Sequence, residues 1–106
     1  MIDTEITLIR PAERYRDDEG VWRDRGTEER TILARMDDVS RSEFFAAGQN
    51  GMRAEFRFIV NPIEYEGERL CTWNGKRYAI YRAYQVPGTD DLELYAQREA
   101  GVTRGT

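Results

Sequence analysis

Apolar and polar positions alternate with a period of two over most of this chain, the pattern of half-buried strands. Thr4 to Ile9 (TEITLI) is β-branched and apolar enough for a first strand, which Pro11 closes because proline cannot donate to a ladder. Thr31 to Met36 (TILARM) places Ile32, Ala34 and Met36 on one face. From Arg53 to Val60 the side chains of Ala54, Phe56, Phe58 and Val60 point one way and Glu55 and Arg57 the other, with Ile59 the exception. Leu70 to Trp73 and Lys76 to Tyr84 flank Asn74-Gly75, the preferred pair for a type I′ turn, and so read as a hairpin. On its return strand Tyr78, Ile80, Arg82 and Tyr84 alternate with Arg77, Ala79, Tyr81 and Ala83. Val86-Pro87-Gly88 breaks that strand, and Leu92, Leu94 and Ala96 mark the inner face of a last one.

Only one stretch departs convincingly towards a helix, and it sits between the second and third strands. Ser40 can cap the first free N–H groups, Glu43 can reach back to complete a capping box, and Val39 can staple onto Phe44. Gly48 or Gly51 supplies the stop, so the helix has about two to three turns. A helix that short needs a sheet to cover, with Phe44 or Phe45 as the buried anchor. The fold expected is therefore mainly β, a small antiparallel barrel or sandwich of about six strands with one short α-helix.

The interval 13–30 cannot form core, since twelve of its eighteen residues are charged. It reads as a projecting arm. Asp17-Asp18-Glu19-Gly20 carries turn chemistry, and Tyr15, Arg16, Val21 and Trp22 flank a hairpin tip or mobile loop. The alternating oxygen ligands of a calcium loop are missing, which favours a solvated turn. Residues 1–98 form the one expected domain, and 99–106, small and polar, a flexible tail.

Composition narrows the function. The chain has 106 residues, one cysteine, no histidine and a net charge of -4. An internal disulfide is impossible, and the usual zinc ligand and general base are absent. No nucleophile elbow or phosphate loop appears, so neither an enzyme nor a cofactor is expected. Cys71 reads as a small buried hydrophobe, and Asp37-Asp38 as acids favouring the start of the helix. A pI near 4.9 argues against holding DNA by its phosphates, and a mean hydropathy of -0.76 against a membrane span. The first residues lack the pattern of a secretory signal, so cytosolic synthesis is expected. Tyr78, Tyr81 and Tyr84 can stack bases or serve core and interface, and the acidic balance favours the latter. Fifteen of the sixteen basic residues are arginine, which suits interfaces and equally follows from a GC-rich genome.

The run ILARMDDVSRSEFFAAGQ resembles the signature of small phage head-closure, or head–tail joining, proteins: a strand ending in aliphatic-Ala-Arg, then an S-x-x-E-F/Y-x-A helix. LCTWNGKRYAIYRAYQVPGTDDLELYAQRE is similar to that family's second half, a strand, an NG-R-x-Y-x-I hairpin and a closing L-x-L strand. The likeness runs from about Ile6 to Glu99. The segment AEFRFIVNPIEYEGE is more apolar and acidic than its counterpart in the family.

This resemblance implies a non-enzymatic virion or prophage component, a stopper that joins as a ring beneath portal and adaptor proteins, closes the DNA channel after packaging and docks the tail. DNA would pass without sequence-specific binding, no membrane would be involved, and assembly would take place in the host bacterial cytoplasm. The isolated subunit can be a monomer. The channel-facing arm carries over onto Tyr15, Arg16, Asp17, Asp18, Glu19, Gly20, Val21 and Trp22. Closing a ring takes two different, complementary surfaces per subunit, and an unpaired edge strand, Thr4 to Ile9 or Leu92 to Gln97, is one expected source. The alternatives are a tail-completion protein at the same joint and a small nucleic-acid- or ligand-binding barrel.

Overall fold

The alternating strands close on themselves. A computed structural model describes residues 2–10, 14–24 and 26–99. The strands are β1 (Ile2–Arg10), β2 (Arg14–Arg16), β3 (Trp22–Asp24), β4 (Glu28–Asp38), β5 (Phe56–Val60), β6 (Leu70–Trp73), β7 (Lys76–Gln85) and β8 (Leu92–Arg98), with α1 (Arg41–Gln49) between β4 and β5. Six of them form a closed antiparallel barrel in the order β1-β4-β5-β8-β7-β6, and β2 and β3 form a separate two-stranded sheet. The expected tail lies, beyond Glu99, outside the described residues.

Closure uses every inward-facing side of the alternation. Ile6, Leu8, Ile32, Ala34, Phe58, Val60, Cys71, Tyr78, Ile80, Leu92, Leu94 and Ala96 share one core, with Met36, Phe56, Tyr65 and Trp73 packed against it. Four aromatic rings fill one region of that core. Phe56 lies 5.1 Å from Trp73 and 5.7 Å from Tyr78, and Phe58 lies 5.8 Å from Trp73, all edge-on, as ring quadrupoles prefer. Trp73 keeps its indole N–H satisfied by donating to Thr4 Oγ1 at 3.0 Å. Burial pushes the Cys71 thiol up to about 12, so it stays an inert hydrophobe. Asn74 (φ 55°) and Gly75 (φ 79°) make the β6–β7 turn, both in the left-handed region that a type I′ turn needs.

The ladders are strongly staggered. β1 pairs with β4 along its whole length, from Ile2↔Met36 to Arg10↔Glu28. β5 takes up only Arg35 to Asp38 of β4, and β6 only Thr7 to Ile9 of β1. Neither strand expected to be an open edge is one throughout. β8 is flanked by β5 and β7, and β1 is covered on both sides over Thr7–Ile9, because closing a barrel consumes edges.

β7 also departs from strict alternation. Ile80 opposes Ala96 and Arg82 opposes Tyr95, so Tyr81 is an extra residue, a β-bulge. One inserted residue reverses the faces downstream. Arg82 and Tyr84 therefore do not share the inner face of Tyr78 and Ile80; Ala83 and Gln85 come into line with Leu94 and Leu92. Gln85 Nε2 instead ties the β7–β8 turn, donating to the carbonyls of Thr89 and Asp91 at 3.0 and 3.1 Å.

Candidate interaction surfaces

The charged arm forms a two-stranded hairpin. Its strands pair Arg14↔Asp24, Tyr15↔Arg23 and Arg16↔Trp22, and β4 already begins at Glu28, so the arm is shorter than the interval 13–30. Asp17 builds the tip: Oδ1 accepts from the Glu19 and Val21 N–H groups at 3.0 and 2.9 Å, and Oδ2 from Arg23 Nε at 2.5 Å. The hydrogen bond from Arg23, then that from Val21, hold the Asp17 carboxyl below the usual carboxylate range. Gly20 takes φ +81°, which any side chain would strain. Asp18 and Glu19 stand at the exposed turn.

One face of the hairpin is apolar and basic. Trp22 is 56% exposed, with the Arg14 and Arg16 guanidinium carbons 5.3 and 5.8 Å from its ring centroid. Val21, which precedes it at the turn, is exposed as well. Because β2 and β3 share no ladder with the barrel, replacing 14–24 by a short Gly-Ser linker is expected to change stability by less than about 1 kcal/mol. Thermal unfolding followed by circular dichroism checks this; loss of a cooperative transition would place the hairpin in the folding core.

Helix α1 departs from expectation in how it is held. Ser40 does cap it, its Oγ accepting from the Glu43 N–H at 3.1 Å, and Met52 N–H closes the other end on the Ala47 carbonyl at 2.9 Å. Glu43, however, does not reach back. Its carboxylate accepts from the Tyr81 hydroxyl at 2.8 Å and pairs with Arg82 at 2.5 Å. Glu43 and Ala47, four residues apart and so on one face, turn towards the barrel, and Ala47 is buried. Phe44 is consequently no core anchor: it is 48% exposed, Phe45 is 61% exposed, and the two rings meet edge-on at 6.1 Å. Val39 is half-buried. Of the expected anchors, Phe58 is fully buried and Phe56 partly so.

The outer wall under the helix is a polar lattice. Arg82 stacks on Tyr95 at 4.2 Å, the Tyr95 hydroxyl donates to Glu93 at 2.6 Å, and Arg57 bridges Asp37 at 2.7 Å and Glu93 at 3.5 Å. Burial, then the bond to Glu43, push the Tyr81 phenol well above its ordinary range. Of the three tyrosines considered for base stacking, Tyr78 is in the core and Tyr81 is tied to Glu43 with its ring 6.4 Å from Tyr95, while Tyr84 is exposed with Arg82 5.9 Å from its ring.

A third surface had no counterpart in the strand pattern. Between the uncovered part of β4, the end of β5 and the β7–β8 turn runs a groove lined by Leu33, Ile59, Asp3, Glu64, Asp90 and Asp91, with Arg35 among them. Leu33 is 71% exposed. Asp91 pairs with Arg35 at 2.8 Å, whereas Asp3, Glu64 and Asp90 carry no ion pair among the described residues. These residues come from four separate stretches, so no local motif announces them.

Among the described residues no group of three or more His, Cys, Asp or Glu side chains is placed to hold a metal, and no helix is long and apolar enough to cross a membrane. No protein-family model matches the chain, and comparison with curated proteins finds no significant match.

Proposed function

We propose that this chain is a structural connector subunit of a phage or prophage head–tail joint, acting by docking and channel closure rather than by chemistry. The observation that carries the reading is the closed barrel with a self-contained hairpin emerging between its first two strands, where the sequence resemblance puts the channel-facing arm. The acidic turn of Asp18 and Glu19 suits a gate that DNA must later pass, because it repels phosphates instead of gripping them. Exposed aromatic side chains on both the hairpin and α1 give the subunit surfaces for protein neighbours. A nucleic-acid-binding barrel is less well supported, since Tyr78 is buried and Tyr81 is held by Glu43, which leaves Tyr84 as the exposed one of the three.

The test is electron microscopy of lysates from a phage with an in-frame deletion of this gene. Emptied heads beside free, complete tails are expected. Normally joined virions would overturn the reading.

A further inference from the structure

We infer that the hairpin of one copy docks in the acidic groove of a second copy, with Trp22 as the knob. It is the Trp22 face of the hairpin, not its acidic turn of Asp18 and Glu19, that is complementary in kind to the groove. The knob is the exposed Trp22 ring flanked by the guanidinium groups of Arg14 and Arg16, with exposed Val21 preceding it in the chain. The groove offers the apolar walls of Leu33 and Ile59 and the carboxylates of Asp3, Glu64 and Asp90, which have no ion partner among the described residues, while the guanidinium in its lining, Arg35, is paired with Asp91. Opposite charge around an apolar centre is the arrangement that steers and aligns protein pairs.

Placement within the fold argues for a second copy. The hairpin joins the end of the β1–β4 ladder at Arg10↔Glu28, whereas the groove borders the same ladder at Asp3↔Arg35. Seven ladder steps separate them, about 24 Å at ~3.4 Å per residue. The hairpin thus starts well away from the far rim of the groove, and the chain's own Trp22 remains exposed. A contact between unlike surfaces is heterologous, so it repeats from copy to copy into a ring or a filament. The groove is open because β5 covers β4 only from Arg35 onward, leaving the strand beside Leu33 without a neighbour on that side. The inference deepens the connector reading, and rests on it only for the ring in which the contact would be used.

Disulfide trapping tests it, since the native Cys71 is fully buried and takes no part. Val21→Cys and Leu33→Cys copies, each shown by thermal melting to be folded, are mixed under mild oxidant. Cross-linked heterodimer is expected at least about tenfold above that of Val21→Cys mixed with Phe45→Cys. A single chain bearing both Val21→Cys and Leu33→Cys should give a ladder of covalent oligomers. Adding Arg16→Glu to the knob copy should suppress the product, and Asp90→Arg in the groove copy should restore it. Equal trapping at Phe45→Cys, no trapping at Leu33→Cys, or indifference to the charge swap would overturn the contact. Trapping together with normally joined virions in the deletion lysate would leave the self-contact standing and remove the head–tail role; emptied heads without trapping would do the reverse.

Discussion

Phe58→Ala is expected to lower stability by about 3–5 kcal/mol, the usual cost of deleting a fully buried ring. Phe58 has no exposed surface and meets Phe56, Trp73 and Tyr78 in the aromatic region of the core. Its neighbours come from β6 and β7 and from its own strand, and a closed barrel has little freedom to collapse around the void. In a chain this size the loss corresponds to a fall in Tm of roughly 15–25 °C. Phe45→Ala is the contrasting case: an exposed ring on α1, whose removal should stay within about 0.5 kcal/mol. Paired thermal or urea melts decide between them. A Phe45→Ala effect as large as that of Phe58→Ala would mean that the helix, not the barrel wall, carries the apolar packing.

That contrast marks the limit of what local pattern reveals. The strands were legible because a period of two survives in Ile32-Ala34-Met36 and Leu92-Leu94-Ala96, and Asn74-Gly75 dictates its turn chemically. The cap at Ser40 was legible for the same reason, being a bond between residues three apart. Which face of α1 is buried was not. Phe44-Phe45 looked like the apolar anchor, but in a helix this short a single charged side chain outweighs the apolar stripe. Glu43 finds Tyr81 and Arg82 on β7, and that contact turns the phenylalanines outward. The bulge at Tyr81 was equally hidden, because it is defined only by the count of residues on β8 opposite. Barrel closure rests on three pairs between β1 and β6, more than sixty residues apart, and the acidic groove depends on the same long-range geometry. The turn of the hairpin arm could be read from Asp17 to Gly20, whereas the stacking of Arg14 and Arg16 on Trp22 follows from the cross-strand register.

Glu68 is the second position where a large effect is expected, this time electrostatic. Its side chain is 3% exposed in the connection between β5 and β6. Oε2 accepts from Arg30 at 2.6 Å and Oε1 from the Glu66 N–H at 2.9 Å, while the Glu68 carbonyl accepts from the Tyr65 hydroxyl at 2.7 Å. Arg30 also donates to the Glu64 carbonyl at 2.8 Å, and Arg10 holds Glu66 at 2.6 Å, so one polar cluster clamps the connection onto β1 and β4. Glu68→Ala strands the Glu66 donor and removes the partner of Arg30, for an expected loss of about 2–3 kcal/mol.

The pH dependence separates the charge from the packing. Burial pushes the Glu68 carboxyl up, but the hydrogen bonds from Arg30 and Glu66 outweigh it and leave the group below its ordinary value. A carboxyl whose folded value lies below the unfolded one, about 4.3, contributes stability above that pH and loses it as pH falls through the folded value. The parent protein should therefore lose Tm more steeply as pH falls below the unfolded carboxyl's range than Glu68→Gln, which keeps the shape without the titration. Asp17 and Asp37, also held low by arginines, act in the same direction in both proteins, so the difference between the two curves isolates Glu68. Parallel curves would mean that Glu68 is held by shape and neutral hydrogen bonds, and that the Arg30 pair adds nothing to the clamp.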